Sequence, residues 1–130
     1  MLNTQGVLHF SLPVTDLERS RKFYEGLLGM KVVEQSARMV FLKTGDNYFI
    51  LAKGNMPLKY DSPKSTPVHH AFKVKPKDFQ PSIDYLGKNG VEVFHIDDRN
   101  EGVFRGPQAY FLDPDGNKLE IYAGPGAKKS

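Results

Sequence analysis

Three residues far apart in the chain, His9, His69 and Glu120, have the side-chain types of a catalytic divalent-metal site. Two imidazoles and one carboxylate leave coordination positions open for substrate or water, as in oxygenase iron sites and hydrolytic zinc sites. A single histidine on a strand is more often an ordinary polar residue, so the argument depends on the three residues as a set. Together they predict a metal-dependent enzyme.

An internal repeat places the two histidines at equivalent positions. The first copy begins H-F-S-L-P-V at His9 and the second begins H-H-A-F-K-V at His69, an offset of 60 residues. The closing segments G-D-N-Y-F-I-L-A-K-G and D-G-N-K-L-E-I-Y-A-G match at an offset of 70 residues, so that Ile50 corresponds to Glu120. The duplication therefore predicts two equivalent strand positions, of which only the second carries a metal ligand.

The composition is that of an ordinary globular chain, with 39% hydrophobic and 25% charged residues. The absence of cysteine excludes disulfides, thiolate metal sites and a cysteine nucleophile. The formal charge is only +3, and no basic cluster alternates with aromatic residues, so we expect no nucleic-acid partner. No apolar run approaches the length of a membrane span and the N-terminus lacks a signal pattern, which predicts no membrane contact and a cytoplasmic location.

Each copy is predicted to contain one strand, one helix and three further strands. In the first copy, residues 7–14 alternate between polar and apolar with a period of two, which places His9 opposite the apolar face. The segment Thr15–Glu18 has the form of a capping box, with Thr15 as the cap, before a helix that ends at Gly29. The remaining strands are predicted near residues 30–35, 38–43 and 47–53.

The second copy follows the same plan, with a strand at 68–75 and a helix at 76–89 whose buried residues are Phe79, Ile83 and Leu86. Its other strands are predicted near residues 91–96, 109–112 and 118–123. The D-P-D-G sequence at Asp113 has too few oxygen donors for a calcium loop and is predicted to form a hairpin turn.

We therefore predict a single domain over residues 1–130, built of one module at 6–54 and another at 67–124. The intervening segment, 55–66, is rich in proline, serine and lysine and lacks periodicity, so it is interpreted as a linker. Residues 125–130 are expected to form a flexible tail.

Three motifs resemble the vicinal oxygen chelate superfamily, which includes glyoxalase I, bleomycin-resistance and fosfomycin-resistance proteins, and extradiol dioxygenases. They are H-x-x-L-x-V-x-D-L from His9, H-x-A-F-x-V from His69, and Y-F-x-D-P-D-G-N-x-x-E, which ends at Glu120. The resemblance covers about residues 6–124. It implies an α+β fold in which two βαβββ modules form a cup-shaped mixed sheet with helices outside, and it implies a homodimer in which a cup often takes modules from both subunits.

The resemblance also assigns the site. The metal ligands carry over onto His9, His69 and Glu120, and His69 is selected over His70 because the family ligand stands two residues before a small residue, here Ala71. The metal would be Fe, Mn, Zn or Ni. Glyoxalase I and methylmalonyl-CoA epimerase take a fourth ligand where this chain has Ile50, which argues against both reactions.

Three ligands are typical of extradiol dioxygenases and of fosfomycin transferases, and both reactions remain open. We favour dioxygenase-like chemistry, in which Fe(II) binds a vicinal diol of a small molecule, Tyr110 acts as the catalytic residue that orients the substrate oxygen, and His95 is the candidate acid or base. Arg105 is expected to bind a substrate carboxylate, and Tyr122 is also expected to contact the substrate.

The alternatives are a fosfomycin-type thiol transferase or lyase, or a protein that sequesters a small ligand such as an antibiotic without turnover. The D-R-N-E-G stretch at Asp98–Gly102 resembles the fosfomycin enzymes. Against that reading, Val103–Gly106 lengthens the following segment, and no arginine after Gly124 matches the one that binds phosphonate in the family.

Overall fold

The computed structural model describes residues 1–55 and 62–126. The chain divides into two compact units, residues 1–58 and 59–130. Each contains one mixed four-stranded sheet and one helical segment.

The first unit has the predicted order of one strand, one helical segment and three strands. Its elements are β1 (His9–Val14), α1 (Leu17–Arg21) continued by a π-helical turn (Lys22–Leu27), β2 (Lys31–Gln35), β3 (Met39–Thr44) and β4 (Asn47–Lys53). Strand β1 begins two residues later than predicted, because Val7 and Leu8 are exposed and lie outside the sheet.

The helical segment of the first unit starts one residue later than predicted. Asp16, rather than Thr15, is the cap, and its carboxylate accepts a hydrogen bond from the backbone N–H of Arg19 at 3.0 Å. The segment buries Tyr24 fully against Phe49 of β4, with ring centroids 5.2 Å apart. It ends before Gly29, whose φ of 73° suits a residue without a side chain.

The second unit repeats this order. Its elements are β5 (His70–Lys73), a 3₁₀ turn (Pro76–Asp78) leading into α2 (Phe79–Lys88), β6 (Phe94–Arg99), β7 (Gly106–Leu112) and β8 (Lys118–Tyr122). Of the helix residues predicted to be buried, Leu86 is buried, whereas Phe79 and Ile83 are only partly so.

Strand β6 lies three residues further along than predicted. The N–H of Val91 instead bonds to the carbonyl of Leu86 at 2.9 Å, and the N–H of Gly90 bonds to that of Gly87 at 3.1 Å. This is a Schellman motif, in which the residue after the left-handed glycine is apolar and belongs to the helix end. Val91 therefore belongs to the helix end rather than to a strand, and β6 runs from Phe94 to Arg99.

The two sheets have the same strand order, β1-β4-β3-β2 and β5-β8-β7-β6, and the first pair in each is parallel. The register matches as well: Ser11 pairs with Ile50 in the first sheet, and Ala71 pairs with Glu120 in the second. These pairs reproduce the sequence offsets of 60 and 70 residues. The predicted α+β class and the duplicated βαβββ plan are confirmed.

Two connecting segments are well ordered by side-chain contacts. The Asp113 carboxylate accepts hydrogen bonds from the backbone N–H groups of Asp115 and Asn117 at 2.9 and 2.8 Å, as the interpretation of a turn requires. Residues 62–66 of the predicted linker belong to the second unit, where Lys64 pairs with Glu92 at 2.7 Å. Residues 56–61 of the linker and 127–130 of the tail lie outside the described residues.

No helix within the described ranges is long and apolar enough to cross a membrane.

Candidate metal and anion site

Glu120 is a buried carboxylate in the second sheet. It lies on β8 between Ala71 of β5 and Tyr110 of β7, and only 7% of its surface is exposed. A solvent-facing strand glutamate would have needed no partner, whereas a buried one is costly unless its charge is compensated. The surroundings of Glu120 therefore determine what the site can do.

His69 is the first partner of Glu120. Its Nε2 lies 3.1 Å from Oε1 of Glu120, and its Nδ1 lies 2.8 Å from the carbonyl oxygen of Pro67. A carbonyl oxygen only accepts, so Nδ1 carries a proton, and Nε2 is directed at the carboxylate. A backbone carbonyl that fixes the tautomer in this way is the usual support of a metal-binding histidine.

His70, the first residue of β5, faces the side of the sheet opposite to Glu120, because it pairs with Leu119 whereas Ala71 pairs with Glu120. Burial lowers the pKa of His70, and the neighbouring His69 lowers it further. The structure therefore brings His69, and not His70, to the carboxylate.

Tyr110 is the second partner of Glu120. It is the strand partner of Glu120 on β7, and its ring packs edge-on against that of His69 at 5.6 Å and under the ammonium group of Lys118 at 4.7 Å. Burial raises the pKa of the Tyr110 phenol, and the hydrogen bond to Glu120 raises it further. At neutral pH the hydroxyl is therefore a neutral hydrogen-bond donor.

Arg99, at the end of β6, is a site residue that the sequence analysis did not single out. Its positive charge and hydrogen bonding oppose the rise in the pKa of Tyr110, so the guanidinium lies near the Tyr110 hydroxyl. The only sequence signal was the D-R-N-E-G stretch, which indicated a family and assigned no role to its arginine. A cation thus lies next to the hydroxyl that contacts the buried carboxylate.

The structure places the two predicted substrate-binding residues at one end of the second sheet. Arg105 is exposed, and its Nε donates to the carbonyl of Gly102 at 3.2 Å. The Tyr122 hydroxyl donates to the carbonyl of Arg105 at 2.6 Å. Both side chains are thus engaged with the backbone, and their contact with a substrate stays a prediction.

The other two histidines of the chain are His9 and His95. His9 is exposed at the start of β1, and His95 packs its ring against Tyr110 at 6.2 Å. His95 has a φ of 49°, in the left-handed region, where a bulge interrupts the pairing of β6 with β7. In the described ranges no group of three or more His, Asp or Glu side chains is assembled that could hold a metal ion. The described geometry thus brings together His69 and Glu120, and the role of His9 stays a prediction.

The fold and this polar cluster occur in a chain that belongs to the glyoxalase/bleomycin resistance protein/dioxygenase superfamily, whose family model matches residues 6–121. The resemblance stated from the sequence motifs is therefore confirmed. A glutathione transferase FosA of Serratia marcescens is 32% identical over 120 residues, which are 92% of this chain and 82% of the relative. A metallothiol transferase FosB of Staphylococcus saprophyticus is 28% identical over 128 residues, 92% and 78% of the two chains.

Solved structures show the same fold. The fosfomycin resistance protein FosX of Mesorhizobium loti matches with a TM-score of 0.74 and 26% identity over 94% of both chains. FosX of Listeria monocytogenes, in complex with Mn(II) and sulfate, matches with a TM-score of 0.77 and 21% identity over 94% of this chain and 92% of that one.

Proposed function

We propose that this chain is a divalent-metal-dependent transferase that opens the epoxide ring of a small phosphonate with a thiol. This is the fosfomycin-type chemistry that the sequence analysis kept as an alternative. The observation that supports the proposal is the succession of neighbouring side chains from His69 through Glu120 and Tyr110 to Arg99. In it, two side chains that would bind a metal lie beside two that would bind an anion. The names of the transferase relatives support the same reaction class.

The donor pair fits a divalent ion. Two ligands held about 2.1 Å from a metal at a right angle lie about 3.0 Å apart. The 3.1 Å between Nε2 of His69 and Oε1 of Glu120 matches that separation. A bound ion would take the place of the proton that joins Nε2 of His69 to Glu120, while the proton on Nδ1 stays on the carbonyl of Pro67. We propose His9 as the third protein ligand, and Mn(II) as the first ion to test.

The bound ion would act as a Lewis acid on the epoxide oxygen. Arg99 would hold the phosphonate, because a guanidinium donates to anionic oxygens. Tyr110 would turn its hydroxyl from Glu120 to the phosphonate once the ion compensates the charge of the carboxylate. In the balanced reaction the thiolate sulfur forms a bond to an epoxide carbon, the carbon–oxygen bond breaks, and the alkoxide takes up the proton that the thiol lost.

The dioxygenase reaction favoured from the sequence has less support. A diol substrate would need a further anionic group to give Arg99 beside Tyr110 a function, whereas a phosphonate always carries one. The relatives FosA and FosB are also named as transferases that use a thiol, and neither name specifies a reaction with dioxygen. Oxygen uptake with a catechol remains the direct test of that alternative.

The reaction can be tested with protein purified without a histidine tag and loaded with Mn(II). Phosphorus NMR should show conversion of fosfomycin to an adduct with glutathione or cysteine, and removal of the metal should stop the conversion. A protein that binds fosfomycin tightly but releases it unchanged would instead be the sequestering protein. Absence of both binding and conversion with the metal-loaded protein would refute the proposal.

Two arginine variants test the anion-binding pair. Arg99→Ala should weaken fosfomycin binding by roughly tenfold to a hundredfold, since a hydrogen bond to a charged group contributes about 1.5–3 kcal/mol. Arg105→Ala is the matched control, because Arg105 is an exposed arginine six residues away whose guanidinium bonds to its own loop. The reverse ranking would return the anion-binding role to the residue predicted from the sequence.

We also propose that the active form is a homodimer. Strand β1 is an edge strand, and Val7, Leu8 and Phe10 near it are exposed by 72%, 79% and 48%. Apolar side chains along an edge are suited to burial against another subunit. Light scattering would measure the mass.

If His9 and Glu120 of one site come from different subunits, mixing inactive His9→Ala and Glu120→Gln proteins should restore part of the activity, because one site per mixed dimer is then intact. No recovery after verified subunit exchange would show that both ligands come from one chain.

A further inference from the structure

The hydroxyl of Tyr122 closes a small latch at one end of the second sheet. We define the latch as residues 105–106 together with 122–126. The hydroxyl donates to the carbonyl of Arg105 at 2.6 Å and accepts from the backbone N–H of Gly126 at 3.2 Å. Only 5% of the Tyr122 surface is exposed, and both hydrogen bonds are partly buried.

The two backbone segments of the latch touch where both lack side chains. A Cβ atom on Gly124 would lie 2.0 Å from the carbonyl oxygen of Arg105, and one on Gly106 would lie 2.6 Å from the Cα of Gly124. The N–H of Ala123 also donates to the carbonyl of Pro107 at 2.9 Å. The segment after β8 is thus fixed to the start of β7 at several points.

The latch is connected to the site through the pairing of strands. Gly106, the first residue of β7, is the register partner of Arg99, the last residue of β6. Strand β6 is an edge strand, so its end is held by β7 on one side only. A bulge already interrupts its pairing between Phe94 and Asp97. The position of Arg99 therefore depends on how firmly the start of β7 is held.

We propose that Tyr122 is a positioning residue whose hydroxyl, by fixing the backbone at Arg105 and Gly106, holds Arg99 in place to bind the anionic group of the substrate. This inference rests on the proposed function for the identity of that anion. It replaces direct contact between Tyr122 and the substrate with an action through the backbone. Edge segments with few contacts open locally at low free-energy cost, so removal of the latch hydroxyl should leave Arg99 less ordered.

The first test is a double-mutant cycle on Mn(II)-loaded protein, with fosfomycin affinity measured by calorimetry. Tyr122→Phe keeps the ring and should weaken binding by about tenfold, since the carbonyl of Arg105 loses its donor. In an Arg99→Ala background the same change should have almost no further effect, because a residue that acts through Arg99 loses its influence when Arg99 is gone. Tyr85→Phe, on the exposed side of α2, is the control and should leave affinity unchanged.

The second test needs no substrate. The Nε–Hε signal of Arg99, assigned by its loss in Arg99→Lys, can be recorded by NMR on zinc-loaded protein. Tyr122→Phe should broaden or shift this signal towards that of a free guanidinium, whereas Tyr85→Phe should not. Metal affinity should stay within twofold of the parent in both variants.

An unchanged Arg99 signal in Tyr122→Phe would overturn the inference, and so would additive losses of affinity in the cycle. If the parent protein binds no fosfomycin, the proposed function fails, but the NMR result still decides whether Tyr122 positions Arg99. The two failures are therefore distinguishable.

Discussion

The two sheets offer the same backbone position to different side chains. In the first unit, Ile50 pairs with Phe41, and both are apolar. In the second, Glu120 pairs with Tyr110 and lies beside His69. The first unit shows that this strand pairing forms without a carboxylate. Because burial of an uncompensated carboxylate is costly, the glutamate is best explained by the chemistry of its site rather than by the needs of the fold.

The largest effect is expected on stability. Both units have a buried phenylalanine paired with a leucine on the neighbouring strand. Phe49 pairs with Leu42 in the first sheet, and Phe111 pairs with Leu119 in the second, so that the large and small residues have exchanged strands. All four are almost fully buried. Phe49→Ala and Phe111→Ala should each cost about 3–5 kcal/mol of unfolding free energy, measured by urea denaturation.

The same pair offers a control. The double exchange Leu42→Phe with Phe49→Leu conserves volume and should cost less than either alanine variant. A large cost for one phenylalanine only would show that the two units do not have equivalent cores.

The second prediction concerns a carboxylate introduced into the first unit at position 50, the equivalent of Glu120. Ile50 is only 9% exposed, so Ile50→Glu should destabilise the protein by about 3 kcal/mol, since its partner Phe41 cannot donate a hydrogen bond as Tyr110 does. Ile50→Met is the matched control, and its expected cost is below about 1.5 kcal/mol. If Ile50→Glu were neutral, burial alone would not distinguish the two positions.

The third prediction concerns loss of the charge of Glu120, the carboxylate that has His69 and Tyr110 as neighbours. Glu120→Gln should weaken Mn(II) binding by roughly 100-fold or more, because loss of even a supporting residue costs about tenfold to 100-fold in metal affinity. Glu92→Gln, which removes an exposed carboxylate paired with Lys64, should leave the affinity unchanged. Competition with a fluorescent chelator would measure both constants.

The smallest expected effect lies at the helix starts. Asp16 caps the first helical segment through its side chain, whereas Asp78 makes no side-chain capping bond at the start of α2. Asp16→Ala should therefore cost about 1 kcal/mol of stability. Asp78→Ala should cost less than half of that. Thermal unfolding would measure both variants, and equal costs would contradict the assignment of the side-chain cap to Asp16 alone.

The sequence was sufficient to predict the repeat, the order of elements and the choice of His69 as the histidine on the face of Glu120. These features follow from the spacing of matched motifs and from the two-residue period of strands. Arg99 was missed because alternation fails at a bulge, and β6 has one between Phe94 and Asp97. The contacts of Tyr122 were missed because its partners are backbone atoms of a distant loop, which leave no pattern in residue type.

The length of the turn held by Asp113 determines which face of the sheet Glu120 occupies. Strand β8 begins at Lys118, directly after a turn whose length is fixed by the hydrogen bonds from Asp115 and Asn117 to the Asp113 carboxylate. Because successive side chains of a strand point to opposite faces, deletion of one residue from that turn would put an aliphatic neighbour in place of Glu120. The length of the turn and the identity of residue 120 therefore matter equally, since a change in either would remove the acid from the site.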